Sequence, residues 1–423
     1  MTYLRRALDD RLDRMVDEQP AIAIEGAKAV GKTMSALRRA TSVLTLDDPA
    51  EVTLLAADRS RLRHLPTPVL IDEWQKYPPV WDMVRRAVDG GAPPGSFLLT
   101  GSATPHDTST HSGAGRIVRL RMRPMSLTER GLVPPAVSVA ELMTGARPPL
   151  EGASPLTLAD YADEIVASGF PGIRTRGPAA RRDALDGYLE AVVEHDFAEL
   201  GHIVRRPESL RAWLTAFAAA TSTTASYNSL LDAATAGQSD KPAKTTTIAY
   251  RDTLARMWVL DELPAWTGSR NRLLSLSQAP KHHLADPALA ARILGADARA
   301  LVATPRPGSS GPREGTLLGA LFESLVTLCV RVHADAAGGR VSHLRTPRGN
   351  HEIDLVVTRD DGAVLALEVK LAPTVDDHDV AHLRWLRDRL GDELLDAVVV
   401  TTGPGAYRRD DGIAVVPAAL LGP

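Results

Sequence analysis

Leu4, Leu8, Leu12 and Val16 recur four apart, a spacing that predicts an amphipathic helix over residues 4–17. Short apolar runs follow at residues 21–24, 42–46, 69–71 and 96–100, with helix-like stretches between them. Strands alternating with helices predict an α/β domain built on a largely parallel sheet. Residues 157–300 are Ala- and Leu-rich and read as mostly helical. The last part of the chain reads helix, strand, strand, strand, helix, strand, strand. Residues 134–155 are rich in Pro, Gly, Ala and Ser and read as a connector, and 304–316 (TPRPGSSGPREGT) reads as a linker. Three domains are expected, at 1–145, 146–303 and 304–423.

Composition narrows the setting. The chain has 423 residues, long enough for two or three cores. Its net charge of −3 supplies no global field toward nucleic acid or anionic membrane, so such binding needs a local basic patch. Aromatic residues make up 4%, which leaves few base-stacking platforms. Cys329 is the single cysteine, which excludes an intramolecular disulfide, and its apolar run at 325–330 predicts burial. The charged start and the expected lack of a bilayer-length apolar run predict a soluble, cytoplasmic protein without membrane contact.

Residues 26–33, GAKAVGKT, fit G-x-x-x-x-G-K-[ST] between an apolar strand (AIAI) and a helix-compatible stretch (MSALRRA). Gly26 and Gly31 allow backbone N–H groups to turn inward around a β-phosphate. Lys32 would reach the β- and γ-phosphates and the Thr33 hydroxyl would take a position on Mg2+. The run VLIDE at 69–73 ends in acids at the carboxyl edge of the sheet, where ligands sit. Asp72 would hold magnesium through water, and Glu73 would polarise the attacking water of ATP hydrolysis. A third strand, FLLTGS at 97–102, brings Thr100 or Ser102 toward the γ-phosphate, or else ends in an ordinary Ser/Gly loop. Arg119, Arg121 and Arg123 alternate as on the solvent face of a strand. Arg116 is a candidate arginine finger acting in trans, which would require a homo-oligomer.

The sequence resembles a prokaryotic family of AAA-type ATPases that join a P-loop domain to a long C-terminal region of unknown function. The resemblance is carried by GAKAVGKT, LTLDDP at 44–49, LIDEWQKYP at 70–78, LLTGSAT at 98–104 and GRIVRLRMRPMSLTE at 115–129. It continues through SGFPGI at 168–173, TIAYRDTLARMWVLDELPAW at 247–266 and PKHHLAD at 280–286. The P-loop departs from the family's usual proline–arginine–glutamine filling with Ala27, Lys28 and Ala29. Phosphate binding is untouched by that change, because the filling contributes mainly backbone groups.

In the middle region, SLLDAAT, a polar loop and TTTIAYRDTLARMWVL read either as a lid-like helical packing unit or as a winged helix. Ile248, Leu254, Met257 and Leu260 form the apolar side of the second helix, with Thr245 or Thr246 as its N-cap. Lys241, Lys244, Arg251 and Arg256 give it only a modest charge.

The C-terminal run HEIDLVV at 351–357 places Glu352 and Asp354 on one face of a strand, and ALEVK at 366–370 does the same for Glu368 and Lys370. Two adjacent strands could bring Asp354, Glu368 and Lys370 to one point, with Glu323 added from the preceding helix. Carboxylates of this kind hold Mg2+ or Mn2+, and a lysine beside them stabilises charge or helps deprotonate water. The pattern resembles the PD-(D/E)XK nuclease superfamily, whose αβββαβ core, restriction-endonuclease-like, matches the predicted order. That resemblance implies catalytic Asp354, Glu368, Lys370 and Glu323, with metal on Asp354 and Glu368. The strand-end proline of that superfamily is absent before Asp354. Two functions follow: an ATPase coupled to a metal-dependent nuclease acting on DNA, or an ATP-switched DNA- or protein-binding module with an inactive nuclease-like tail.

Overall fold

The computed structural model describes residues 3–103, 113–202, 204, 206–236, 244–266, 268, 279–303, 314–346 and 349–423. Most of the expected linker (304–313) and Lys241 with the loop at 237–243 lie outside the described residues. The chain divides into two compact units, one comprising Met1–Arg123, His195–Ile203 and Arg251–Val259, the other the remainder.

The first unit is built on a five-stranded parallel sheet. Its strands are β1 (Ala21–Glu25), β2 (Ser42–Thr45), β3 (Val69–Asp72), β4 (Phe97–Gly101) and β5 (Val118–Arg121), in the order β2-β3-β4-β1-β5. Both faces of β1 and β4 are buried, which is why these runs are continuously apolar rather than alternating. Ala21, Ala23, Leu44, Ile71, Phe97 and Leu99 pack with Trp74, Trp81 and Val84 on one side of the sheet. The N-terminal helix begins only at Asp9 and runs to Glu18, shorter than its apolar spacing predicts. Asp9 explains the late start: its carboxylate accepts the Arg6 backbone N–H at 2.7 Å and the Tyr3 hydroxyl at 2.8 Å, holding the preceding residues in a turn, and Leu4 is left exposed.

The second unit contains the helical middle region and a C-terminal sheet. The middle region is helical, including Leu158–Ala167, Pro178–Ala191, Pro207–Ala219 and Tyr227–Ala234. Among its described residues, extended pairing is limited to single bridges, such as Leu260 with Leu284. The helix Lys244–Arg256 starts ahead of Thr245 and Thr246, so neither caps it from outside. Two of the sequence segments quoted above meet here. Asp286 accepts the Ser168 hydroxyl at 2.8 Å and the Gly169 N–H at 2.6 Å with one oxygen, and the N–H of Ala288 at 2.9 Å with the other. One buried carboxylate thus caps the helix Pro287–Ile293 and fixes the turn at Ser168, whose φ is 68°.

A short parallel pair, β6 (Val137–Ser138) with β13 (Leu421–Gly422), ties the expected connector into this unit. The larger sheet comprises β7 (Arg340–Arg345), β8 (Glu352–Thr358), β9 (Val364–Lys370), β10 (Leu394–Thr401), β11 (Tyr407–Arg408) and β12 (Ala414–Pro417). Its order is β11-β12-β10-β9-β8-β7: β7, β8 and β9 form an antiparallel meander, while β10 runs parallel to β9 and to β12. The helix Glu314–Ala336 precedes the meander and the helix Ala381–Leu390 connects β9 to β10. Leu317–Ala336 is long and apolar enough to cross a bilayer, contrary to the expectation that no such run exists, but it is mostly buried as a core helix. Cys329 within it is free and buried, as its apolar surroundings predict, and burial pushes its thiol up to about 11.

Candidate functional site

β1 leads into the P-loop, and β4 lies between β1 and β3. The carboxyl ends of all three strands therefore reach the same sheet edge. Glycine is needed at position 26 because a β-carbon there would lie 2.1 Å from the Met122 carbonyl oxygen. Gly31 adopts φ 104°, a left-handed conformation that L side chains avoid, just before the helix Lys32–Leu37.

Lys32 is 5% exposed and folds back on its own loop, donating from Nζ to the carbonyl oxygens of Gly26 and Ala27, each at 2.9 Å. Burial pulls its ammonium down to about 8, against the opposing charges of Glu73 and Asp72. Thr33 Oγ1 donates to Asp72 Oδ1 at 2.8 Å, and Thr100 Oγ1 donates to the same oxygen. Glu73 stands just past β3 with φ 53°. Its Oε2 accepts from Gln75 Nε2 and, at 3.1 Å, from Ser102 Oγ. Gln75 also donates to Ser102 at 3.1 Å. The residues from the P-loop, the end of β3 and the end of β4 thus form two small networks, one around Asp72 and one around Glu73.

Arg116 sits elsewhere: its Nε donates to Asp89 at 2.8 Å. Arg119 and Arg121 project from β5, Arg119 over the Trp81 ring and Arg121 at 3.6 Å from the Trp258 ring centroid. Sequence reasoning missed Gln75, although it lies in the quoted segment LIDEWQKYP. It also missed an acidic pair. Lys28 Nζ, within the P-loop, lies 2.6 Å from Asp196 Oδ1 and 3.6 Å from Glu199 Oε2, and Lys76 lies 2.9 Å from Glu199. No local motif marks Asp196, which ends a π-helical turn at Val192–Asp196, or Glu199, which lies just past it.

In the second unit, the antiparallel register of β8 and β9 pairs Leu355 with Leu367, which brings Asp354 beside Glu368. Asp354 Oδ2 accepts the Val369 N–H at 2.9 Å. Burial, reinforced by the Asp354 charge, pushes the Glu368 carboxyl well above its ordinary range. Lys370 Nζ lies 3.6 Å from Glu368 and its side chain is 33% exposed. Asp354, Glu368 and Lys370 do come together, and Glu323 reaches the cluster from its helix.

Their centre, however, is an ammonium that sequence reasoning did not assign. Lys281 Nζ lies 2.8 Å from Asp354, 2.9 Å from Glu323 and 3.0 Å from Glu352. Burial, the largest single influence on Lys281, would lower its pKa, but the three carboxylates outweigh it and hold it well above the ordinary value. Among the described residues, no group of three or more His, Cys, Asp or Glu side chains is placed to hold a metal ion. No cluster of that kind supports the metal position expected on Asp354 and Glu368.

Residues 18–130 match the model of an AAA domain. Residues 158–300 and 318–421 match two domains of unknown function, DUF8612 and DUF4143. Uncharacterized proteins of Mycobacterium bovis and Mycobacterium tuberculosis are each 27% identical over 429 residues, covering 99% of this chain and 84% of theirs. Among solved structures, a Walker-type ATPase of Pyrococcus abyssi aligns with 15% identity and a TM-score of 0.40, covering 69% of this chain and 96% of that one. An ORC2 protein of Aeropyrum pernix, in ADPNP and ADP complexes, aligns with 14% identity and a TM-score of 0.26, covering 68% and 89%. The chain carries an N-terminal AAA P-loop ATPase domain followed by two regions that match domains of unknown function.

Proposed function

We propose that this protein binds and hydrolyses ATP at the edge of the N-terminal sheet, and that its C-terminal part is a nuclease-like domain retained for binding rather than metal-dependent cleavage. The observation that supports ATP hydrolysis is the Thr33–Asp72 hydrogen bond beside the Glu73–Ser102–Gln75 network. Thr33 and Asp72 present hard oxygens suited to the magnesium that accompanies ATP, and magnesium would neutralise phosphate charge there. Lys32 leaves the Gly26 and Ala27 carbonyls to meet phosphate. Glu73 accepts a proton from water, and Thr100 and Ser102 keep the two acids oriented. Phosphate release from MgATP, measured for the wild type and Lys32→Ala, tests this assignment: equal rates would remove the P-loop from the activity.

For the C-terminal part, a helix, an antiparallel three-strand meander, a second helix and a strand parallel to the third support a PD-(D/E)XK-like fold, as does the meeting of Asp354, Glu368 and Lys370. Lys281 at the centre of the carboxylates favours the inactive tail over a Mg2+- or Mn2+-dependent deoxyribonuclease. The three-part organisation at 1–145, 146–303 and 304–423, a homo-oligomer using Arg116 in trans, and a cytoplasmic setting belong to the same proposal. Labelled single- and double-stranded DNA, incubated with protein, Mg2+ or Mn2+ and ATP, distinguishes the roles. Cleavage lost in Glu368→Ala would establish a nuclease; binding without cleavage supports the ATP-switched module.

A further inference from the structure

We propose that Lys281 is a built-in counter-cation that replaces the divalent metal of the C-terminal carboxylate cluster, so that the cluster takes up Mn2+ only when this lysine is removed. The inference rests on the nuclease-like reading of the C-terminal fold.

An ammonium has three N–H donors. Lys281 Nζ has three carboxylate partners, at 2.8, 2.9 and 3.0 Å. These are charge-assisted hydrogen-bond lengths, longer than the ~2.0–2.6 Å of Mg2+ or Ca2+ to oxygen. The carboxylates are therefore spaced for a nitrogen donor. Two cations cannot share so small a volume, because mutual repulsion in a poorly hydrated site outweighs what either gains from the same acids.

Lys281 is also not a side chain free to swing away. It is 2% exposed. Its backbone is clamped in both directions by Leu263, with each N–H donating to the other residue's carbonyl at 2.9 Å. The next two residues, His282 and His283, are themselves buried. Retracting the ammonium would require that segment to unfold locally or would leave a positive charge without partners in the interior. Lys370, the lysine that the nuclease pattern assigns, instead lies at the rim against Glu368 and is one-third exposed. The cluster is organised around the lysine from outside the motif.

Nucleotide-free full-length protein is titrated with Mn2+, followed by electron paramagnetic resonance of free Mn2+, alongside Asp354→Asn. The expected result is no Mn2+ site in the wild type that Asp354→Asn removes. Lys281→Met is expected to acquire one, at least about tenfold tighter than any wild-type binding, and to gain thermal stability on adding Mn2+ while the wild type does not. The triple substitution Lys281→Met, Glu323→Gln, Asp354→Asn, which leaves no uncompensated acid at two of the three contacts, should fold but lack the Mn2+ uptake of Lys281→Met. A wild-type Mn2+ site abolished by Asp354→Asn overturns the proposal, and this arm does not depend on any Lys281 variant folding. A folded Lys281→Met that takes up no Mn2+ overturns it as well. Asp354-dependent Mn2+ uptake by the wild type without DNA cleavage would sink this inference alone, whereas Glu368-dependent cleavage would sink the inactive-tail assignment.

Discussion

The hydroxyl of Thr33 lies 2.8 Å from the Asp72 carboxylate, joining the P-loop to the end of a strand two positions away in the sheet. In the proposed ATP site these two oxygens would serve the magnesium that accompanies the nucleotide. Asp72→Asn is expected to lower ATP turnover by roughly 10²-fold or more, because the transferring phosphate loses its positioned counter-charge. It should also abolish the difference in nucleotide affinity between Mg2+ and EDTA. Phosphate release and a fluorescent-nucleotide titration in both buffers check this; wild-type turnover would remove Asp72 from the magnesium position.

Glu73→Gln is expected to keep nucleotide affinity within a few-fold and to lower turnover by about 10²- to 10⁴-fold. Glutamine retains the hydrogen bonds to Gln75 and Ser102 in one orientation but cannot accept a proton from water. Single-turnover hydrolysis alongside equilibrium binding separates the two effects. Loss of binding would make Glu73 a structural residue.

Lys28 is the one charged residue in the P-loop filling, and Asp196 holds it at 2.6 Å. That carboxylate lowers the positive potential available to phosphate. Asp196→Asn is expected to raise ATP affinity about two- to tenfold, in keeping with the modest strength of a partly exposed ion pair. The gain should shrink at high salt. Affinity that is unchanged at low salt would show that Lys28 takes no part in phosphate binding.

Burial depresses His283 to about 3 and His333 to about 4. Both fall below the ordinary histidine value of about 6.5, so between those limits the unfolded chain binds more protons than the folded one. Stability should therefore be greatest above about pH 6.5 and fall as pH drops, by about 2 kcal/mol per histidine between pH 7 and pH 5. Chemical denaturation at both pH values measures the slope. His333→Met should remove its share of that slope, and an unchanged slope would mean that His333 is protonated in the folded state.

Much of the candidate nucleotide site was legible because its signals are local. The strand, the glycine-rich turn and the helix at 21–37 are adjacent in the chain, and an apolar run ending in acids marks β3 wherever it falls. The antiparallel meander of β7, β8 and β9 was legible for the same reason: alternation shows which residues share a face, and Asp354 and Glu368 do meet. The early part of the N-terminal helix was misread because apolar spacing carries no information about the Asp9 carboxylate that holds the turn before it.

The amino-acid sequence by itself determined the periodicities, the turn glycines and the residue types at each strand end, because these depend on near neighbours and backbone sterics. Only the tertiary structure decided which distant groups share a site. It placed β4 between β1 and β3, set Asp196 against Lys28, and drove Lys281 into the carboxylates of Glu323, Glu352 and Asp354. A buried charge must find partners wherever the packed chain offers them, and no pattern along the sequence records that choice.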